Sequence, residues 1–335
     1  MHLVVAEFGT SLGKKSGRLV VRREGKLLQE IPFDRLEQVT VTGSGVSIST
    51  DAIRKCVEAG VQFNFLSSTG MPYAKVTSPL LTGTVITRRE QVLAFLDHRG
   101  VELAKSFVQG KLRNQVNVLK YFAKHRRTAD RELYEQIYDR VGAIEATRSE
   151  LEQLDGPRVD SVRGQLLSIE GRAAHLYWDL VQAIIPPGLG FDGRERQGAT
   201  DPFNSMLNYG YGILYTQIWG AVTLAGLEPF AGFLHVDRPG KPSLVLDVIE
   251  EFRQQAVDRT VIALVNRGFV PSMEDGNLAA PARRELAAKV LERLEGAERY
   301  EGKQHRLRVV IQHQARRIAT FLRGEGAYRP FVGAW

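Results

Sequence analysis

From Met1 to about Pro79, apolar and polar residues alternate in short runs: LVVAEF, GRLVVRREGKLLQEIPF, QVTVTG, VQFNFLS and PYAKVTS. A period of two, with Val, Phe and Thr enriched and turn residues between the runs, predicts strands. The runs flanking Glu24-Gly25 predict a hairpin. One helix interrupts the strands, with Thr50 as its expected N-cap and Gly60 as its expected stop. After Leu81-Thr82-Gly83 the period lengthens. Apolar residues recur at i, i+3 and i+4 through segments near 88–126, 130–154, 159–185, 202–226, 243–267, 280–296 and 303–323, predicting long helices with short connections. The expected fold is therefore α+β: a small β-rich domain over residues 1–82 and a larger all-helical domain over 83–335. The stretch from Pro186-Pro187-Gly188 to Thr200 predicts a long loop, a place where function concentrates. No GxGxxG motif, phosphate loop or internal repeat occurs.

Composition narrows the class. Hydrophobic residues make up 43% and charged residues 25% of the 335-residue chain, which predicts a packed globular protein rather than a disordered one. No apolar run reaches the roughly 18 residues of a membrane span, and the N-terminus lacks a signal-peptide pattern, so a soluble cytoplasmic protein is expected. One cysteine, Cys56, excludes an intrachain disulfide and a cysteine-built zinc cage. The net charge of +7 favours polyanions but does not by itself choose a partner. Basic clusters add to it: Arg88 and Arg89, Lys111 and Arg113, Lys124, Arg126 and Arg127. The segment 303–323 carries Lys303, Arg306, Arg308, Arg316, Arg317 and Arg323 with no acid, a pattern that leans toward phosphate contact.

Some residues sit where structure alone would not put them. Leu166, Ala173, Tyr177, Leu180 and Ile184 form an apolar helical stripe, and Glu170 falls on it. A buried carboxylate needs either an interior Arg or Lys or a metal ion. In GFLHVDRPGKPSLVLDVIEEFR the apolar run ends at His235, and a helix opens after a Pro/Gly turn with Ser243 as its expected N-cap. Asp247 and Glu250, three apart, project from nearly one face of that helix. Such oxygen donors suit Mg²⁺ or Mn²⁺, and Mn²⁺ tolerates an imidazole. Each residue also has a structural explanation: Asp247 favours the helix dipole, Glu250 can pair with Arg253, and His235 can be a loop histidine. Asp201-Pro202 predicts a helix start, and Tyr209, Tyr211 and Tyr215 beyond it suit a core better than base stacking.

Taken together, LLSIEGRAAHLYW, DPFNSMLNYGYGILY and GFLHVDRPGKPSLVLDVIEEFR resemble the CRISPR-associated endonuclease-integrase family of spacer acquisition. The order Glu, Asn, His, Asp, Glu behind a β-rich front carries the resemblance over nearly the whole chain. It implies that Glu170, His235 and Glu250 bind Mg²⁺ or Mn²⁺, and that Asp247 is a further ligand or an orienting group. Asn204 and Ser243 are implied to support the site, and Arg194, Arg196, Arg238, Lys241 and Arg253 are candidate DNA contacts. The resemblance further implies a homodimer joined through its β-rich domains and a hetero-hexamer with a small ferredoxin-like partner, holding double-stranded or branched DNA. The implied reaction is transesterification, a 3′-hydroxyl attacking a phosphodiester at a CRISPR repeat. Two other classes stand beside it: a non-catalytic DNA-binding scaffold, and a metal-dependent hydrolase of other phosphodiesters.

Overall fold

The computed structural model describes residues 1–67, 70, 72–76, 85–124, 126–196 and 198–334. The expected domain boundary at 82–83 lies outside the described residues. Among the described residues, eight strands occupy the front: β1 (His2–Val5), β2 (Thr10–Lys15), β3 (Arg18–Arg23), β4 (Lys26–Pro32), β5 (Gln38–Val41), β6 (Ser47–Ile48), β7 (Gln62–Leu66) and β8 (Pro72–Val76). They form two sheets, ordered β1-β5-β7-β8 and β4-β3-β2-β6. In the first, β1, β5 and β7 run parallel and β8 antiparallel; in the second, β2, β3 and β4 form a meander that β6 joins in parallel. Glu24 at φ 50° and Gly25 at φ 78° make the expected two-residue turn, with Arg23 opposite Lys26. Between β6 and β7 lies α1 (Thr50–Glu58). Ser49, not Thr50, caps it: its backbone is extended and its hydroxyl accepts the Ala52 N–H at 3.2 Å. Leu12, Leu19, Val39 and Phe63 from the sheets and Ala52 and Cys56 from α1 build a small separate core.

The rest is mostly helical: α2 (Val85–Ala94), α3 (His98–Ala123), α4 (Arg126–Ala129), α5 (Arg131–Gln153), α6 (Val159–Ile184), α7 (Pro202–Leu224), α8 (Ser243–Ile249), α9 (Arg259–Asn266), α10 (Ala280–Glu295) and α11 (Leu307–Leu322). Three expected segments differ. The 88–126 segment breaks at Asp97, whose carboxylate accepts the Arg99 N–H at 2.9 Å and starts α3. The 243–267 segment splits into α8, a π-helical turn over Gln254–Asp258, and α9. The 303–323 segment opens as a strand. Two hairpins are present, β9 (Met273–Glu274) with β10 (Asn277–Leu278) and β11 (Ala297–Tyr300) with β12 (Lys303–Arg306), so the body is not purely helical. Glu301 and Gly302 adopt φ 51° and 79°, a tight turn that sets β12 against β11 before α11 begins.

The α7 helix runs through the large core, burying Met206, Leu207, Leu214, Ile218 and Val222. One face presents Gly212, where a Cβ would lie 1.6 Å from the Gly70 carbonyl oxygen. Only glycine permits that approach of helix to backbone. After α11 the chain folds back: Phe331 stacks on Phe252 with centroids 5.0 Å apart, and the Asn114 amide donates to the Phe331 carbonyl at 2.9 Å. No helix among the described residues is long and apolar enough to cross a membrane.

Candidate metal centre

Helices α3 and α6 pack together, and each places one charge on its buried face. On α6, Glu170 sits among Leu166, Ala173 and Tyr177 and is 8% exposed. On α3, Lys111 follows Phe107 and Val108 on the inward stripe and is 6% exposed. Its ammonium donates to Glu170 Oε1 and lies 2.6 Å from Glu250 Oε2. Glu250 directly follows α8, and its other oxygen accepts Arg253 Nε at 3.0 Å. Burial opposes charge on Glu250, but Arg253, then Lys111 and His235, outweigh it and hold the carboxyl well below its ordinary range. Burial likewise opposes charge on Lys111, and Glu250 and Glu170 more than offset it, raising the ammonium above its ordinary value. Glu250 is therefore held as a carboxylate.

His235 enters from the loop before α8. Its Nδ1 lies 2.8 Å from Asp247 Oδ1, and the fully buried Asp247 also accepts the backbone N–H groups of Phe233, Leu234 and His235 at 2.6, 3.0 and 2.9 Å. A neutral ring with its proton on Nδ1, directed at this carboxylate, would leave the lone pair of Nε2 for a ligand. Gly232 makes the wrap possible, because a Cβ there would meet Asp247 Oδ2 at 2.8 Å and the Ser243 backbone at 2.5 Å. Ser243 is the first residue of α8 rather than its N-cap. Its hydroxyl instead accepts the Gly232 N–H at 2.8 Å and lies 2.7 Å from the Phe230 carbonyl, stapling the loop to the helix.

Two carboxylates and an imidazole nitrogen are a donor set for Mg²⁺ or Mn²⁺. Glu250 Oε2 is buried and, despite its closeness to Lys111, has no aligned hydrogen-bond donor, which fits a ligand atom. The residues present thus fit the ion. Among the described residues, the group whose ligand atoms all lie within 4.8 Å of one another is elsewhere: His2, Glu37 and Glu295. There Arg308 of α11 reaches Glu37, just before β5, at 2.8 Å and Glu295 of α10 at 2.7 Å, so a guanidinium already balances both acids.

The other expected residues have distinct fates. Asn204 is buried and anchors the 186–200 loop: its amide donates to the Gly193 carbonyl and to Asp201, each at 2.8 Å, and its oxygen accepts the Glu195 N–H. Arg194 turns inward, donating to Asn204 at 2.8 Å and Asn208 at 2.6 Å beside the Tyr211 ring, so it holds the loop rather than facing outward. Arg196 and Arg238 are exposed and Lys241 half-buried. Arg253 lies 4.4 Å from the Tyr211 ring centre. Tyr209 and Tyr211 are buried, in keeping with a core role. Much of the basic 303–323 segment is engaged internally: Arg306 and Arg308 pair with Glu295, Arg317 with Glu301 and Arg323 with Glu325.

Sequence reasoning missed the role of Lys111, which it placed with Arg113 in a basic cluster favouring a polyanion partner, although Phe107 and Val108 one turn earlier put the residue on a buried face. It also missed Asp258, whose buried carboxylate accepts the hydroxyls of Tyr177 (2.9 Å) and Tyr211. The π-helical turn brings Asp258 to face them, and nothing in the helical period signals such a turn.

Comparison with known proteins extends the picture. The family described as CRISPR associated protein Cas1 matches residues 3–312. A CRISPR-associated endonuclease Cas1 from Archaeoglobus fulgidus is 41% identical over 100% of both chains, and one from Korarchaeum cryptofilum is 33% identical over 96% of this chain and 95% of its own. Among solved structures, a casposase bound to integration product superposes with TM-score 0.84 at 24% identity, covering 99% of this chain and 93% of that one. A Cas1 protein from Thermotoga maritima gives TM-score 0.79 at 17% identity, covering 99% and 100%.

Proposed function

This chain belongs to the Cas1 family of CRISPR-associated proteins, and on that premise we propose that it is a metal-dependent DNA endonuclease and integrase. The observation that carries the proposal is that Glu170 and Glu250, from separate parts of the chain, meet at the Lys111 ammonium, with an Asp247-bound His235 near enough to influence the Glu250 carboxyl. Full-length relatives named as endonucleases support the nuclease reading, and the fold shared with a casposase is compatible with strand transfer. Glu170, His235 and Glu250 would hold Mg²⁺ or Mn²⁺. Bound there, the ion would supply Lewis-acid polarisation of a scissile phosphate and favour the deprotonated form of an attacking hydroxyl. Asp247 would then act as the orienting group, since three backbone donors and His235 Nδ1 already engage its oxygens. Arg253 steadies Glu250, while Arg238, Arg196 and Lys241 are the candidates to meet DNA phosphates.

The substrate we propose is short duplex or branched DNA, inserted at a CRISPR repeat by attack of a 3′-hydroxyl on a phosphodiester. One phosphodiester replaces another, so no nucleotide triphosphate is needed. The working assembly we propose is a homodimer through the β-rich fronts, bound to a small ferredoxin-like partner in a hetero-hexamer. Lys111 favours one competing reading, since it pairs both acids and could make them purely structural in a DNA-binding scaffold. Strand transfer on a supercoiled plasmid carrying a repeat, with labelled short duplex, Mn²⁺ and the partner protein, decides between them. Joining by the intact protein but not by Glu170→Gln or His235→Ala supports the enzyme. Equal DNA binding with no joining or nicking in any divalent metal favours the scaffold.

A further inference from the structure

We infer that Lys111 is a built-in counter-ion that competes with the divalent metal, and that loading the site requires its ammonium to leave the carboxylates. This rests on the metal reading above and concerns how the site is kept and filled. The Lys111 ammonium contacts Glu170 Oε1 and lies 2.6 Å from Glu250 Oε2, so it sits between one oxygen of each acid. A Mg²⁺ or Mn²⁺ ion held by both carboxylates needs oxygens at about 2.0–2.2 Å, which is the same region of space. Ammonium and ion cannot share it. Two facing carboxylates at a helix–helix contact would repel one another and lose solvation if left alone. Lys111 removes that penalty, and its stem is packed on α3 beside Phe107 and Val108 in the core.

The Glu250 side of the arrangement is the less committed one. Arg253 holds Oε1 at 3.0 Å with aligned geometry, whereas Oε2 has the close ammonium but no aligned hydrogen bond. Lysine suits this role better than arginine: a compact point charge on a flexible stem can withdraw, while a guanidinium grips carboxylates in a two-point fork. Apparent metal affinity is then the intrinsic affinity reduced by the fraction of molecules whose ammonium has withdrawn. The withdrawn charge would remain within one side-chain length of the ion, adding positive charge where a phosphodiester is to be received.

The test is calorimetric titration of Mn²⁺ into the full-length chain, compared with Lys111→Met, Lys111→Arg and Glu170→Gln, with folding followed by circular dichroism. The expected result is binding at least about tenfold tighter in Lys111→Met, equal or weaker binding in Lys111→Arg, and loss in Glu170→Gln. Unchanged or weaker Mn²⁺ affinity in folded Lys111→Met, with Glu170→Gln still abolishing it, overturns the counter-ion role and leaves the metal site standing. Absence of Mn²⁺ binding by every protein overturns both. If Lys111→Met does not fold, a structure of the intact protein with Mn²⁺ bound decides: an ammonium withdrawn from both carboxylates supports the competition, and one still bridging them overturns it.

Discussion

Asp247 Oδ1 lies 2.8 Å from His235 Nδ1 and 2.9 Å from the backbone nitrogen of the same histidine. One carboxylate thus fixes both the ring and the peptide that carries it. Its second oxygen takes the N–H groups of Phe233 and Leu234, so the loop is wound around a single buried acid. Aspartate at this position therefore acts on any bound ion through His235, by setting which ring nitrogen has the proton and where the other points.

Asp247→Asn tests this. An amide cannot accept from four donors, and its NH2 group would oppose at least one of them. Loss of an oriented histidine partner typically weakens metal affinity about 10–100-fold, and burying mismatched donors costs about 1–3 kcal/mol. Mn²⁺ titration and urea unfolding of the variant measure the two effects separately. A fall in stability with unaltered Mn²⁺ affinity would reduce Asp247 to a purely structural role.

Glu251, next to Glu250, provides a pH-dependent handle on the tail. Burial pushes its carboxyl up to about 7, against hydrogen bonds from Tyr328, the Phe331 N–H and Gln314. Because the folded value is raised from 4.5, this group's contribution is fully present below that pH and is lost as pH rises toward 7. Glu250 has the opposite sign: its depressed value contributes above the unfolded value and fails only in acid. Relative to Glu251→Gln, the wild-type chain is expected to lose up to about 3 kcal/mol between about pH 5 and 7.5 in EDTA. Parallel stability curves for the two proteins would contradict the raised carboxyl.

Asp258 accepts the hydroxyls of two buried phenols, those of Tyr177 and Tyr211. Asp258→Ala strands both hydroxyls and is expected to destabilise by about 2–5 kcal/mol. Asp258→Asn keeps one acceptor and should recover roughly half of that. Urea denaturation resolves the ranking, and near-equal losses would mean that the packing of the turn, not the phenol pairing, sets the effect. Arg253 lies against the Tyr211 ring, so nuclease activity should fall in the same order as this support for Glu250 is lost.

How much of this was legible beforehand depends on what each signal encodes. The change of period separates the sheets from the helices because side-chain direction repeats every two residues in a strand and every 3.6 or so in a helix. Glu170 stood out because a charge on an apolar stripe violates that periodicity. Lys111 violates it equally on α3, yet in a basic chain a lysine attracts less notice than a buried acid. The break at Asp97 was not legible, because Phe95, Leu96 and Val101 continue an apolar pattern across it while the cap depends on a single aspartate. Nor was the π-helical turn, since one extra residue in a turn leaves no mark on composition. Asn204 read as a supporting residue of the site and Arg194 as a candidate DNA contact, and their partners within the 186–200 loop became visible only in three dimensions.

Two glycines in helix interiors should respond oppositely to the same substitution. Alanine in place of glycine ordinarily stabilises a helix by about 1 kcal/mol, by restricting the unfolded chain. At Gly142 on α5 a Cβ meets nothing within 4 Å, so Gly142→Ala should gain close to that amount. At Gly212 the same Cβ would fall 1.6 Å from the Gly70 carbonyl oxygen, and relief requires α7 to move from the chain that follows β7. Overpacking of this kind costs about 1–3 kcal/mol, enough to reverse the propensity gain. Thermal unfolding of the two single variants reads the signs directly. If Gly212→Ala were also stabilising, the close approach would be soft, and the seating of α7 against the β-rich front would not depend on it. A loss confined to Gly212→Ala makes that contact a rigid joint, and the Asp201–Asn204 end of the same helix, which anchors the Arg194 loop, is then held by the packing of the whole helix and not by its cap alone.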